Sequence, residues 1–139
     1  MNLILGSLLL LASTPLLASV EIKTVIHLSD AEAKKTATTC SVTRKQIVKI
    51  KRSHNIYKAT LDKLFEVSNS RLAPHFQKVF VQGGTAKIFF SKEAYDLLNG
   101  TTCNQETVQA PIEATLKAFP EVKAVEYYID HKLVTGWDA

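Results

Sequence analysis

Cysteine is scarce in this chain, and the usual catalytic signatures are missing. Its two cysteines, Cys40 and Cys103, stand far apart and form no Cys-x-x-Cys pair, which speaks against a redox dithiol or a zinc knuckle. There is no Gly-x-Ser-x-Gly elbow, no His-Glu-x-x-His helix and no phosphate-binding glycine loop. His27, His54, His75 and His131 are scattered, with none at i, i+4 from another on a helix, so no metal site is expected. His131 follows Asp130 in what reads as a solvent-facing turn rather than an acid/base couple. These absences predict a protein that is not an enzyme, with no catalytic residue, no cofactor and no metal.

Charge is absent from the first nineteen residues, where Leu3 to Leu11 is almost unbroken aliphatic and Pro15 precedes Leu16-Leu17-Ala18-Ser19. Such a run predicts a secretory signal peptide over residues 1–19, with cleavage best placed after Ala18. An uncleaved membrane anchor is the alternative, because the run approaches the roughly 18 apolar residues that span a bilayer. No cysteine follows it, which argues against a lipid-anchored form. Residues 20–139 then make a single domain, periplasmic or secreted, with no membrane span once the leader is gone. In that compartment Cys40 and Cys103 are expected to pair as a disulfide, two free buried thiols being the alternative.

Acidic side chains are missing between Lys34 and Lys58, a stretch that carries eight bases. Arg44, Lys45, Lys49, Lys51 and Arg52 are its densest part and the candidate contacts for an anionic partner. For an exported chain that means wall polymers, lipid head groups or an acidic protein, not nucleic acid. The structural alternative is an edge strand kept soluble by its lysines.

Lys78 to Phe90 is the clearest structural signal. Val79 and Val81 alternate with polar or outward positions, Gly83-Gly84 interrupts, and Ala86, Ile88 and Phe90 resume the alternation, as in a β-hairpin on a primed two-residue turn. Val20 to Leu28 reads as a strand with Ile22, Thr24, Ile26 and Leu28 on one side, followed by one helical turn at Ala31 to Lys35 and a β-branched strand over Ser41 to Lys51. A helix is predicted from Ile56 to about Val67, capped by Ser53 or Asn55, with Tyr57, Leu61, Leu64 and Phe65 on one stripe. Ser91 is the expected cap of a short helix through Leu98. A longer helix starts at Thr102, its stripe marked by Val108, Ile112, Leu116 and Phe119. Pro111 either kinks it or marks its true first turn. Val125, Tyr127 and Ile129 give a last long strand, and Leu133, Val134 and Trp137 a short return. Tyr57 and Tyr127 are read as core, Tyr128 and Trp137 as candidates for exposed contacts. The sum is an α+β two-layer sandwich, a small mixed sheet with two amphipathic helices on one face.

Gly83-Gly-Thr-Ala-Lys-Ile-Phe-Phe-Ser-Lys-Glu93, and Thr115-Leu-Lys-Ala-Phe-Pro-Glu-Val-Lys-Ala-Val-Glu-Tyr-Tyr-Ile-Asp130 after the intervening helix, resemble the sporulation and spore germination (GerMN) domain family. Ser41-Val-Thr-Arg44 is similar to the family's Pro-Val-x-Arg, and Lys58 to Phe65 to its Ala-Leu-x-x-Leu helix. The likeness covers about Val25 to Trp137. It implies an exported, non-catalytic envelope or sporulation-type component that contacts envelope proteins or cell-wall polymers, with self-association by analogy to ring-building modules. This chain carries one copy of the domain, no lipid-attachment cysteine, and two cysteines the pattern does not require. A secreted wall-acting enzyme, or a modulator of a wall hydrolase, is the alternative function.

Overall fold

Two hairpins, each legible as alternating residues, supply most of the strand content. The computed structural model describes residues 20–36, 39–100 and 102–137; the expected leader over 1–19 lies outside them. The first hairpin pairs β1 (Glu21–Ser29) antiparallel with β2 (Thr43–Lys51) as a two-stranded sheet. The second pairs β3 (Phe76–Gln82) antiparallel with β4 (Thr85–Phe90). β4 then runs parallel to β5 (Ala124–Ile129), and β5 turns back into β6 (Lys132–Leu133), giving the mixed order β3-β4-β5-β6. The strands thus form two sheets of two and four members rather than one.

Turn chemistry explains both tight reversals. Gly83 and Gly84 have φ of 57° and 79°, the left-handed pair that a type I′ turn requires and that glycine adopts without strain. The Gly84 carbonyl also accepts from Lys123 and Ala124, which fixes where β5 starts beside β4. Asp130 and His131, at φ 50° and 66°, make the corresponding turn between β5 and β6 with two of the residue types that, with asparagine, are enriched at positive φ.

The helices are α1 (Ala31–Lys34), α2 (Ile56–Val67), α3 (Ala94–Leu98) and α4 (Thr102–Lys117). Of the two caps proposed for α2, Asn55 is the one used: its side-chain oxygen accepts from the Lys58 N–H, while its amide donates to the Val79 carbonyl of β3 at 2.7 Å. At the far end Asn69 adopts φ 51° and the Ser70 N–H bonds back to the Phe65 carbonyl, as in a Schellman stop. Ser91 does not cap α3 with its side chain. Its hydroxyl meets His75 Nδ1 at 3.2 Å, and the helix begins at Ala94 behind Glu93. α4 runs unbroken through Pro111, which sits buried in mid-helix and removes one backbone donor there.

The two long helices pack on each other and touch both sheets, α2 against β1, β2 and β3 and α4 against β1, β2 and β5. One apolar cluster joins Ile26, Leu61, Leu64, Ile88, Phe90, Ile112 and Leu116 with their neighbours, so the architecture is a small α+β sandwich. Buried threonines bind β1 to both helices. The Thr24 and Thr60 hydroxyls pair at 2.9 Å, and the His27 N–H, which points away from β2, donates to Thr115 Oγ1 at 2.8 Å. Cys40 and Cys103 are joined as a disulfide, Cα to Cα 5.3 Å, tying the β1–β2 connection to the first turn of α4.

Candidate functional site

The β1–β2 register decides which of the clustered bases share a surface. Lys45 lies opposite His27, Ile47 opposite Val25, Lys49 opposite Lys23, and Lys51 opposite Glu21. Side chains of one strand alternate between faces, and the even-numbered members Thr24, Ile26, Leu28, Val48 and Ile50 are the buried ones. The odd-numbered row therefore faces solvent, with Lys23, Lys45, Lys49 and Lys51 surrounding an Ile47 that is 62% exposed. Lys23 stood outside the sequence cluster and joins it only through the register.

Arg44 and Arg52 do not join that row. Arg44 belongs to the opposite row and holds Gln46 Oε1 at 3.4 Å, and Arg52 lies past the end of β2, where its N–H bonds the Val20 carbonyl. Arg52, together with Lys49 and Lys51 of the row, also borders a shallow cleft whose walls include Glu21, Asp62 and Glu66. The flanking bases Lys35 and Lys58 are neutralised locally by Glu32 at 3.1 Å and Asp62 at 2.8 Å. Among the described residues, no ion pair involves Lys23, Lys45, Lys49 or Lys51.

Two details set the electrostatics of this face. Lys23 and Lys49 are directly opposite, a like-charge arrangement that weakens a sheet and does nothing for the fold. His27 is held below its usual pKa by burial and then by the Lys45 ammonium. Its ring stays neutral until the pH falls, and then adds charge to the same face. Thr43 Oγ1 is 3.4 Å from its Nδ1.

The remaining candidates separate. Among the described residues no three His, Cys, Asp or Glu side chains gather as a metal site, and no helix is long and apolar enough to cross a membrane. Tyr127 is core, as expected, and burial followed by the nearby Glu113 pushes its hydroxyl well above its usual pKa. Trp137 is not a free contact residue: it packs edge-on against Tyr127 and stacks on Tyr95, both at 5.6 Å. Tyr128 lies on the outer face of the larger sheet, stacked on Phe89, which stacks in turn on Phe80.

Comparison with known proteins gives one family. The model named Germane and described as sporulation and spore germination matches residues 24–135. No curated protein and no solved structure matches the chain.

Proposed function

Because the chain belongs to the Germane family of sporulation and spore germination domains, we propose that it is an exported, non-catalytic module of the bacterial envelope that docks an anionic partner through the outer face of its first hairpin. The observation that carries this reading is the register itself, which gathers Lys23, Lys45, Lys49 and Lys51 around an exposed Ile47 with no carboxylate in ion-pair contact among the described residues. A lysine-edged strand needs no such company across the pair for solubility alone. The facing Lys23 and Lys49 would repel each other less with an anion between them.

The Cys40–Cys103 disulfide supports export to the periplasm or the outside, because such bonds persist in oxidising compartments. Envelope proteins with acidic surfaces or anionic wall polymers are the partners whose chemistry fits. Two copies meeting through this face would place lysines against lysines, so self-association, if it occurs, uses another surface.

The test is sedimentation of the purified chain with an isolated envelope fraction. Changing Lys23, Lys45, Lys49 and Lys51 together to Gln should reduce the bound fraction severalfold and flatten its dependence on salt, with circular dichroism unchanged. Equal binding by both proteins would overturn the electrostatic reading. Release of soluble wall fragments by the chain, or a changed rate of a wall hydrolase, would favour the wall-acting alternative.

A further inference from the structure

The edges of the two sheets are not treated alike. On β1 the His27 N–H is taken by Thr115 of α4. β3 slips register between Phe76 and Lys78, and Asn55 at the start of α2 donates to its Val79 carbonyl. β6 is two residues long. Each of these obstructs the addition of a further strand. β2, nine residues long, meets no such obstruction among the described residues.

The register fixes which groups of β2 are open. The Asp30 N–H donates to the Val42 carbonyl and the Arg52 N–H to the Val20 carbonyl, one at each end of the β1–β2 ladder, and both bonds join even-numbered residues. Antiparallel pairs alternate between bonded and non-bonded. The even-numbered residues of β2 therefore direct their N–H and C=O groups at β1, and those of Lys45, Ile47, Lys49 and Lys51 point the other way. Among the described residues no other element bonds them. These are also the residues whose side chains form the lysine face. A strand added along this edge would thus set its own paired side chains directly beside those of Lys45, Ile47 and Lys49.

From this we infer that β2 accepts an acidic, extended segment of a protein partner as a third, antiparallel strand, with carboxylates beside Lys45 and Lys49 and an apolar side chain beside Ile47. Edge lysines ordinarily keep strands away; here they turn away a second copy of the same edge, which would set lysine against lysine, and admit a strand of opposite charge. Lys23 faces Lys49 from β1 and strengthens the demand for an anion there, whereas Glu21 faces Lys51 and weakens it. Ile47, 62% exposed, lies between the two acid-selecting positions. Strand addition rests on the docking reading above and adds which part of a partner meets the face: main-chain bonds supply affinity and alternate side chains supply selection. A wall glycan or polyphosphate has no such ladder to offer.

The probe is the peptide acetyl-Thr-Thr-Glu-Thr-Val-Thr-Glu-Thr-amide, its Glu residues spaced to meet Lys49 and Lys45 and its Val to meet Ile47, titrated into the full isotopically labelled chain. At saturation the amides of Lys45, Ile47 and Lys49 should become protected from hydrogen exchange at least tenfold, while those of Val48 and Ile50, already bonded to β1, change little. N-methylation of the peptide's Val, whose N–H faces β2, should weaken binding tenfold or more. N-methylation of the Thr that follows it, whose N–H faces away, should weaken it by less than threefold. Replacing both Glu residues by Gln should weaken it severalfold at low salt. Binding that leaves the three amides exchanging as in the free chain, or equal affinity for the two N-methyl peptides, would overturn strand addition; if the chain still sediments with the envelope fraction in a lysine-dependent way, the docking face itself stands. Protection of the same amides without peptide, rising with protein concentration, would assign the edge to a second copy and overturn the inference equally.

Discussion

The two hairpins differ in what holds them. β3 and β4 are joined by two glycines, flanked by β5, and bury Val79, Ala86, Ile88 and Phe90 nearly completely. β1 and β2 are joined by the long connection from Asp30 to Val42, form a sheet of their own, and depend on groups from elsewhere: Thr60 and Thr115 from the helices, and the disulfide to α4. The outer faces differ as well. The larger sheet presents the stacked row Phe80, Phe89 and Tyr128, with the Lys78 ammonium 4.5 Å from the Phe89 ring centroid, whereas the first hairpin presents unpaired lysines. One hairpin is scaffold, and the other is a surface that the scaffold holds in place.

The sharpest way to break this contrast is in the core of the scaffold. Phe90 is fully buried among Phe65 and Phe76, and Phe90→Ala should cost about 3–5 kcal/mol in denaturant unfolding, lowering protection from hydrogen exchange across the whole domain. Cutting the disulfide comes next. Cys40→Ser with Cys103→Ser releases a loop spanning 63 positions and should cost about 2–4 kcal/mol. Hydrogen exchange should then rise first in β1 and β2 while β3 and β4 stay protected. Equal loss in both hairpins would mean they are one cooperative unit.

Smaller effects test the side-chain ties. Thr115→Val keeps the shape and removes the acceptor for the part-buried His27 N–H, which should cost about 1 kcal/mol in the same unfolding assay. His27 gives a pH signature. Its folded pKa lies below the unfolded value, so the unfolded chain binds its proton first as the pH falls. Stability from this group is whole above about pH 6.5 and declines as the pH drops through the lowered folded value, and His27→Gln should flatten that part of the curve. Protonated His27 also adds charge beside Lys45, so envelope binding should strengthen over the same range. The smallest change expected is in α4. Burial raises the Glu113 pKa, with Lys117 opposing, so ionised Glu113 is disfavoured in the fold; Glu113→Gln should raise the midpoint temperature slightly at pH 7, and the gain should vanish near pH 4.

Much of the scaffold was legible because it is local. The Gly-Gly turn, the period of two on either side and the bounds of α2, from a cap at Ser53 or Asn55 to about Val67, each depend on neighbours in sequence. The lysine face was only half legible. Lys45, Lys49 and Lys51 alternate within β2, but Lys23 reaches them through a pairing set across the connection from Asp30 to Val42, and Arg44 and Arg52 fall away because the pleat and the end of the strand separate them. The Ser91 cap failed for a similar reason: its hydroxyl is engaged by His75, 16 residues upstream, which no local pattern reveals.

On the proposed reading, the lysine face of the first hairpin, and not the aromatic face of the second, meets the partner. A photo-crosslinking amino acid placed at Ile47, or in a second strain at Phe80, tests it in the native cells, both positions being exposed. Adducts with an envelope component are expected at position 47, disappearing when Lys23, Lys45, Lys49 and Lys51 are glutamine, with few at position 80. Adducts at 80 with none at 47, or adducts at 47 that persist without the lysines, would contradict it.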